Sequence, residues 1–337
     1  MRVTVTKARH GEGARAYWLF KPDLSTPTSA PLIAFLHGWG ATNPAIYGAW
    51  IDHLVKTGNI VVYPRYQADL RTPTADFFPN TVRALQDAIT LLEREPGHVR
   101  PDLSKFAVVG HSVGGLLAAN LAAVSSDSGL PRVWAVMSVQ PGRTWNRRPV
   151  ANVPLGDLRK IPSKTLMLVV VGDQDRLAGD IDAKRIYYKS KQLSPANKDF
   201  VRMRSDNHGR PALVANHFAP VAIDVSYDDG DKAQRESHHK REARARLRER
   251  LQDRVQEQAS SETDEDNLPL VDLPTSGPSQ VDALDYYGFW KLFDALCDAA
   301  FSGRNRKFAL GNTLQQRFMG FWTDGVPVKQ LLVTDNP

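Results

Sequence analysis

Five residues, Gly110-His111-Ser112-Val113-Gly114, narrow the choice of fold more than any other stretch of this 337-residue chain. Ahead of them runs Lys105-Phe106-Ala107-Val108-Val109, an apolar, β-branched stretch that reads as a buried strand. Behind them, Leu116-Leu117-Ala118-Ala119-Asn120-Leu121-Ala122-Ala123 reads as a tightly packed helix. A strand and a helix joined by G-x-S-x-G make a sharp turn with Ser112 at its apex, the arrangement of a nucleophile elbow. Such a turn holds the serine in a strained backbone conformation. Side chains at 110 and 114 would strike the neighbouring strand and helix.

The remaining pattern predicts an α/β architecture around that turn. Residues 3–8 and 15–20 read as strands joined around Gly11-Glu12-Gly13; 32–36, 60–63, 105–109, 133–139, 165–171 and 199–204 read as further strands. Helical patterns fall near 44–56 and 80–94. Short apolar strands alternating with helices predict a mostly parallel central sheet with helices on both faces. Catalytic groups on such sheets gather at the carboxyl ends of the strands. The span from Gln140 to Ser163 is too short for a large cap domain, and it carries Arg143, Trp145, Arg147 and Arg148.

These elements place the core domain in residues 1–227. Residues 228–280 differ: Arg235 to Arg254 is densely basic and Glu257 to Asp266 is acidic. Leu247, Leu251 and Val255 give only a thin helical stripe. The segment reads as a solvated, mobile insertion, with a lid or a docking arm as the alternatives. Residues 281–337 become aromatic again (Tyr286, Tyr287, Phe289, Trp290, Phe293, Phe318, Phe321, Trp322) and are expected to pack on the core as helices.

The net charge of +6 is not spread evenly; the dense basic stretch is a local block, not a basic domain, and no nucleic-acid motif accompanies it, so nucleic acid is not an expected partner. No apolar run approaches the roughly 20 residues of a membrane span. Met1-Arg2-Val3-Thr4-Val5-Thr6 lacks an apolar signal core, which makes the cytoplasm the expected location. The one cysteine, Cys297, excludes an internal disulfide and reads as a buried structural thiol.

A serine hydroxyl needs a base, and the base needs an orienting acid. Val169-Val170-Val171-Gly172-Asp173-Gln174-Asp175-Arg176 offers two acids at a strand end. Asp175 stands further out, where it can reach a histidine; Asp173, directly after the glycine, is the alternative acid or an Asx-type turn cap. The expected base is His208, on the polar loop after the strand at 199–204. His217 reads as a surface histidine on a following helix, His111 as pointing away from the nucleophile, and His37 as structural. Two backbone N–H donors complete the set: Val113, after the serine, and Trp39 in the turn His37-Gly38-Trp39-Gly40. Trp39 and Trp145 are candidates for lining a substrate subsite.

His-Gly-Trp-Gly, Gly-His-Ser-Val-Gly-Gly, the Gly-Asp-x-Asp strand end and a late histidine, in that order, resemble the α/β-hydrolase superfamily over roughly residues 30–218. Within it the chain resembles the dienelactone-hydrolase, acetylhydrolase and cutinase-like polyester hydrolase branches, although dienelactone hydrolases carry Cys where this chain has Ser112. The resemblance implies the α/β-hydrolase fold and a Ser-His-Asp carboxylic ester hydrolase with no cofactor and no metal. Its expected partner is a small-molecule or polymeric ester. Thioesterases, acyltransferases and peptidases use the same triad, and a non-catalytic ligand-binding protein on this fold is the alternative from a different class.

Overall fold

Runs of β-branched and other apolar residues become nine strands of one sheet in the computed structural model, which describes residues 4–23, 29–94, 99–142, 153–228 and 281–337. The strands are β1 (Thr4–His10), β2 (Tyr17–Asp23), β3 (Ser29–Leu36), β4 (Ile60–Pro64), β5 (Arg100–His111), β6 (Val133–Val139), β7 (Leu166–Gly172), β8 (Lys198–Met203) and β9 (Leu332–Thr334). Their spatial order is β1-β2-β4-β3-β5-β6-β7-β8-β9. The strands from β4 to β8 pair in parallel. Antiparallel ladders add β1 and β2 at one edge and β9 at the other.

This order creates a crevice. β4 and β5 lie on opposite sides of β3, so the connections leaving β3 and β5 part there, as at the ligand crevices of open α/β sheets. The parallel register pairs Leu36 with Gly110. It sets the turn after β3 beside the turn after β5.

The central strands are buried on both faces, which explains their continuous apolar composition. Along β5, Ala107 and Val109 belong to one core cluster, Phe106 and Val108 to the other. The first cluster lies under α1 (Gly48–Lys56) and α5 (Lys291–Ser302), with Phe35, Trp50, Tyr63 and Phe293 fully buried. The second lies under α2 (Phe77–Arg94), α3 (Val113–Val124) and α4 (Ile181–Lys189). Every residue of α3 from Val113 to Ala123 is buried. Its Gly and Ala residues let a helix with no polar face lie close against the sheet.

The sequence predicts a helical C-terminal segment, but the aromatic segment is only partly helical. It supplies α5 but ends in β9, where Val333 pairs with Val201 of β8. Lys291 anchors it, with Nζ donating to the carbonyls of Gln315, Gln316 and Phe318 at 3.2, 2.9 and 2.5 Å. Cys297 is buried on α5, and burial pushes its thiol up, as for an inert structural cysteine. The charged stretch 229–280 and residues 143–152, with Trp145, lie outside the described residues. Among the described residues no helix is long and apolar enough to cross a membrane.

Candidate active site

Turns at the carboxyl ends of β3, β5 and β7 converge on Ser112. The serine sits between β5 and α3 at φ 56°, ψ −122°, a region that side chains seldom adopt. The glycines around it are steric necessities. A Cβ on Gly110 would come within 2.0 Å of Gly114 O, and one on Gly114 within 2.1 Å of Leu36 O.

The base position departs from the sequence reading. His217 Nε2 lies 2.9 Å from Ser112 Oγ, and His217 Nδ1 lies 2.9 Å from Asp175 Oδ2. His208, the expected base, instead places Nε2 2.7 Å from Asp324 Oδ2, with its side chain 40% exposed. The reason lies in one bridge. Asp206 and Leu213 exchange backbone hydrogen bonds at 2.9 and 2.8 Å, closing 207–212 into a surface excursion that carries His208 away from the sheet. The chain then returns across the strand ends, where Ala215 O accepts from Gln174 N–H at 3.1 Å. His217 stands in a turn, not on a helix. Pro220, three residues on, is the signal against a helix through this point, and Gly209 and Pro211 mark the excursion.

The two acids have separate places. Asp175 Oδ1 accepts from the N–H groups of Leu177 and Ala178 at 3.0 and 2.9 Å, leaving Oδ2 for His217. Burial pushes this carboxyl up, but the His217 hydrogen bond and charge, with the Ala178 N–H, hold it on balance below the usual range. Asp173 is tied to Ser205, accepting from its N–H at 2.9 Å and its hydroxyl at 2.6 Å. An ionised Asp175 can only accept, so the His217 proton is on Nδ1 and Nε2 accepts the hydrogen bond of the Ser112 hydroxyl.

The turn after β3 is equally fixed. Gly38 N–H donates to Tyr47 Oη at 3.1 Å and Gly40 N–H to Gln67 Oε1 at 2.9 Å. The Trp39 N–H between them meets no acceptor among the described residues. The Trp39 ring packs on Phe77 at 5.4 Å. Val113 N–H opens the first turn of α3, where helices leave donors unpaired. Gly142 keeps the space in front of it clear: a Cβ there would stand 3.2 Å from Val113 N and 3.3 Å from Ser112 Oγ. Among the described residues no cluster of three or more His, Cys, Asp or Glu could hold a metal ion.

Two buried histidines flank the site. Burial holds His111 down to about 3, with the nearby His217 charge acting the same way. Burial holds His37 down to about 4, against the opposing pull of the Gly38 and Arg65 carbonyls. An unfolded chain takes up these protons near pH 6.5. Between that pH and the folded values the unfolded state binds more protons, so stability is complete above pH 6.5 and is lost as pH falls toward 4. The loss at full effect is on the order of 3 kcal/mol for His37 and about 5 kcal/mol for His111. Thermal melts should therefore show Tm dropping from pH 7 to pH 4, with a shallower drop in His111→Gln. Parallel curves would contradict the buried, neutral state of His111.

The sheet order and the serine at the strand-to-helix turn beside the β3 turn are those of the α/β-hydrolase fold. Residues 4–150 match the family model described as Chlorophyllase, an ester hydrolase family of α/β-hydrolase type. The matched span holds the His37 turn and Ser112, and it ends before Asp175 and His217. Comparison with curated proteins gives no match.

Proposed function

We propose that the protein is a serine hydrolase of carboxylic esters, with Ser112 as nucleophile, His217 as general base and acid, and Asp175 as the orienting acid. The observation that carries this reading is the position of His217, hydrogen-bonded at 2.9 Å to both Ser112 Oγ and Asp175 Oδ2. His217 Nε2 takes the serine proton as Oγ attacks the ester carbonyl. Asp175 holds the imidazole in its Nδ1–H form and stabilises the imidazolium. The backbone N–H groups of Trp39 and Val113 receive the developing oxyanion, each contributing on the order of 3 kcal/mol to the transition state. His217 then protonates the leaving alcohol and activates the water that releases the acyl group.

The test is chemical. A fluorophosphonate should label Ser112 stoichiometrically, and the protein should hydrolyse nitrophenyl esters, with acyl length setting kcat/KM. Thioesters and peptides of matched acyl groups separate the other reactions of the same triad, and the matched family's name makes chlorophyll one ester to include. A folded protein that neither takes the label nor turns over any ester would refute the reading in favour of a ligand-binding role.

A further inference from the structure

A chain of buried hydrogen bonds joins the two halves of the site without touching a reacting atom. Gly38 N–H donates to Tyr47 Oη at 3.1 Å, Tyr47 Oη lies 2.8 Å from His111 Nδ1, and His111 Nε2 lies 2.8 Å from the carbonyl oxygen of His217. Tyr47 is 1% exposed and His111 3%.

The donor directions follow from the last link. A carbonyl oxygen only accepts, so Nε2 of His111 carries the proton. In a neutral ring Nδ1 then accepts the Tyr47 hydroxyl proton, and the tyrosine oxygen is left to accept from Gly38 N–H. Each link is used once and none conflicts. Neutrality suits the place, because the His217 ring, 4.9 Å away, becomes cationic during the proposed reaction and opposes a second charge. Gly38 is required for the closure: a Cβ there would stand 3.3 Å from both Tyr47 Oη and His111 Nδ1. Gln140 adds a second tether, its Nε2 donating to Asn216 O at 2.6 Å from a strained backbone at φ 42°.

We propose that Tyr47 and His111 are positioning residues that lock the His217 backbone and the Gly38–Trp39 turn in one register, so that base and oxyanion donors are preorganised together. The proposal rests on the ester hydrolase reading of Ser112, His217 and Asp175. Tyr47 and His111 act through these groups, since their own polar atoms are spent within the relay.

Nitrophenyl acetate kinetics on Tyr47→Phe, His111→Phe, the double variant and His111→Gln test it. Each single change should lower kcat about 10- to 100-fold with KM within about two-fold, the penalty of a slightly misplaced catalytic group. The double variant should be no worse than the poorer single one, because one break already opens the chain. His111→Gln, whose amide N–H can reach the His217 carbonyl, should recover most of kcat. Unchanged kcat in folded variants, or losses that multiply in the double, would overturn the proposal. Should His111→Phe fail to fold, Tyr47→Phe, which removes one oxygen, decides alone. Ring ¹⁵N spectra of the wild type read the relay without turnover: His111 should be the Nε2–H tautomer and stay neutral from pH 8 to pH 5. An Nδ1–H form or a titrating ring overturns the relay even in an active esterase. A wild type that hydrolyses no ester and takes no fluorophosphonate overturns instead the reading it rests on.

Discussion

Ser112→Ala should lower kcat for ester hydrolysis by about 10⁴- to 10⁶-fold and leave the fold intact. Both halves of this expectation come from the turn. Alanine keeps the Cβ, so the strained backbone at φ 56° is neither relieved nor worsened, and the turn's steric fit with Gly110 and Gly114 is unaltered. The lost group is Oγ alone, with its hydrogen bond to His217, a net loss of about 1 kcal/mol. Ser112→Gly should be equally inactive yet more stable than Ser112→Ala by about 1–3 kcal/mol, since glycine adopts positive φ freely. Kinetics against a nitrophenyl ester and thermal melts of the three proteins measure this. Substantial turnover in a folded, uncontaminated Ser112→Ala would remove Ser112 from the mechanism. A Ser112→Gly variant less stable than Ser112→Ala would show that the turn stores no strain.

The features legible in the sequence were those whose cause is local. Buried strands such as β6 and β7 show as unbroken apolar runs, because both faces are covered. The serine turn shows because Gly110 and Gly114 each leave room for a backbone oxygen about 2 Å from where a Cβ would stand. Asp175 was reachable from its place two residues beyond Asp173, at the end of β7. The features that were not legible depend on pairing between distant segments. The bridge between Asp206 and Leu213 is invisible in the polar run that contains them, yet it decides which histidine meets the serine. Asp206 is itself held from far along the chain, accepting from Trp322 Nε1 and Lys329 N–H at 3.1 and 3.0 Å. The C-terminal segment thus braces the loop that presents His217, a role that aromatic composition alone did not indicate. Tyr47 carries no motif, and its importance comes from facing Gly38 and His111 at once.

The choice between the two histidines gives the second large effect. His217→Ala should cost about as much as Ser112→Ala, some 10⁴- to 10⁶-fold in kcat, because a serine without its base remains a poor nucleophile. Asp175→Asn should fall short of that, at about 10³- to 10⁴-fold, since the ring survives but an amide N–H replaces the Oδ2 acceptor facing Nδ1 and no longer enforces the tautomer. His208→Ala should leave kcat within about two-fold of wild type. Its ring is committed to Asp324 on the surface, and such exposed pairs contribute little. KM should stay nearly constant across all three, because none of the changes reshapes the space in front of Ser112 that Gly142 keeps open. Parallel kinetics of the three variants separate the alternatives cleanly. If His208→Ala were the inactive protein and His217→Ala the active one, the 206–213 excursion would have to open and swing its histidine onto Ser112 in solution. The Asp206 bonds to Trp322 and Lys329 oppose that swing, so breaking them with Asp206→Ala should then raise activity. With His217 as base, the same change loosens the brace and should lower it.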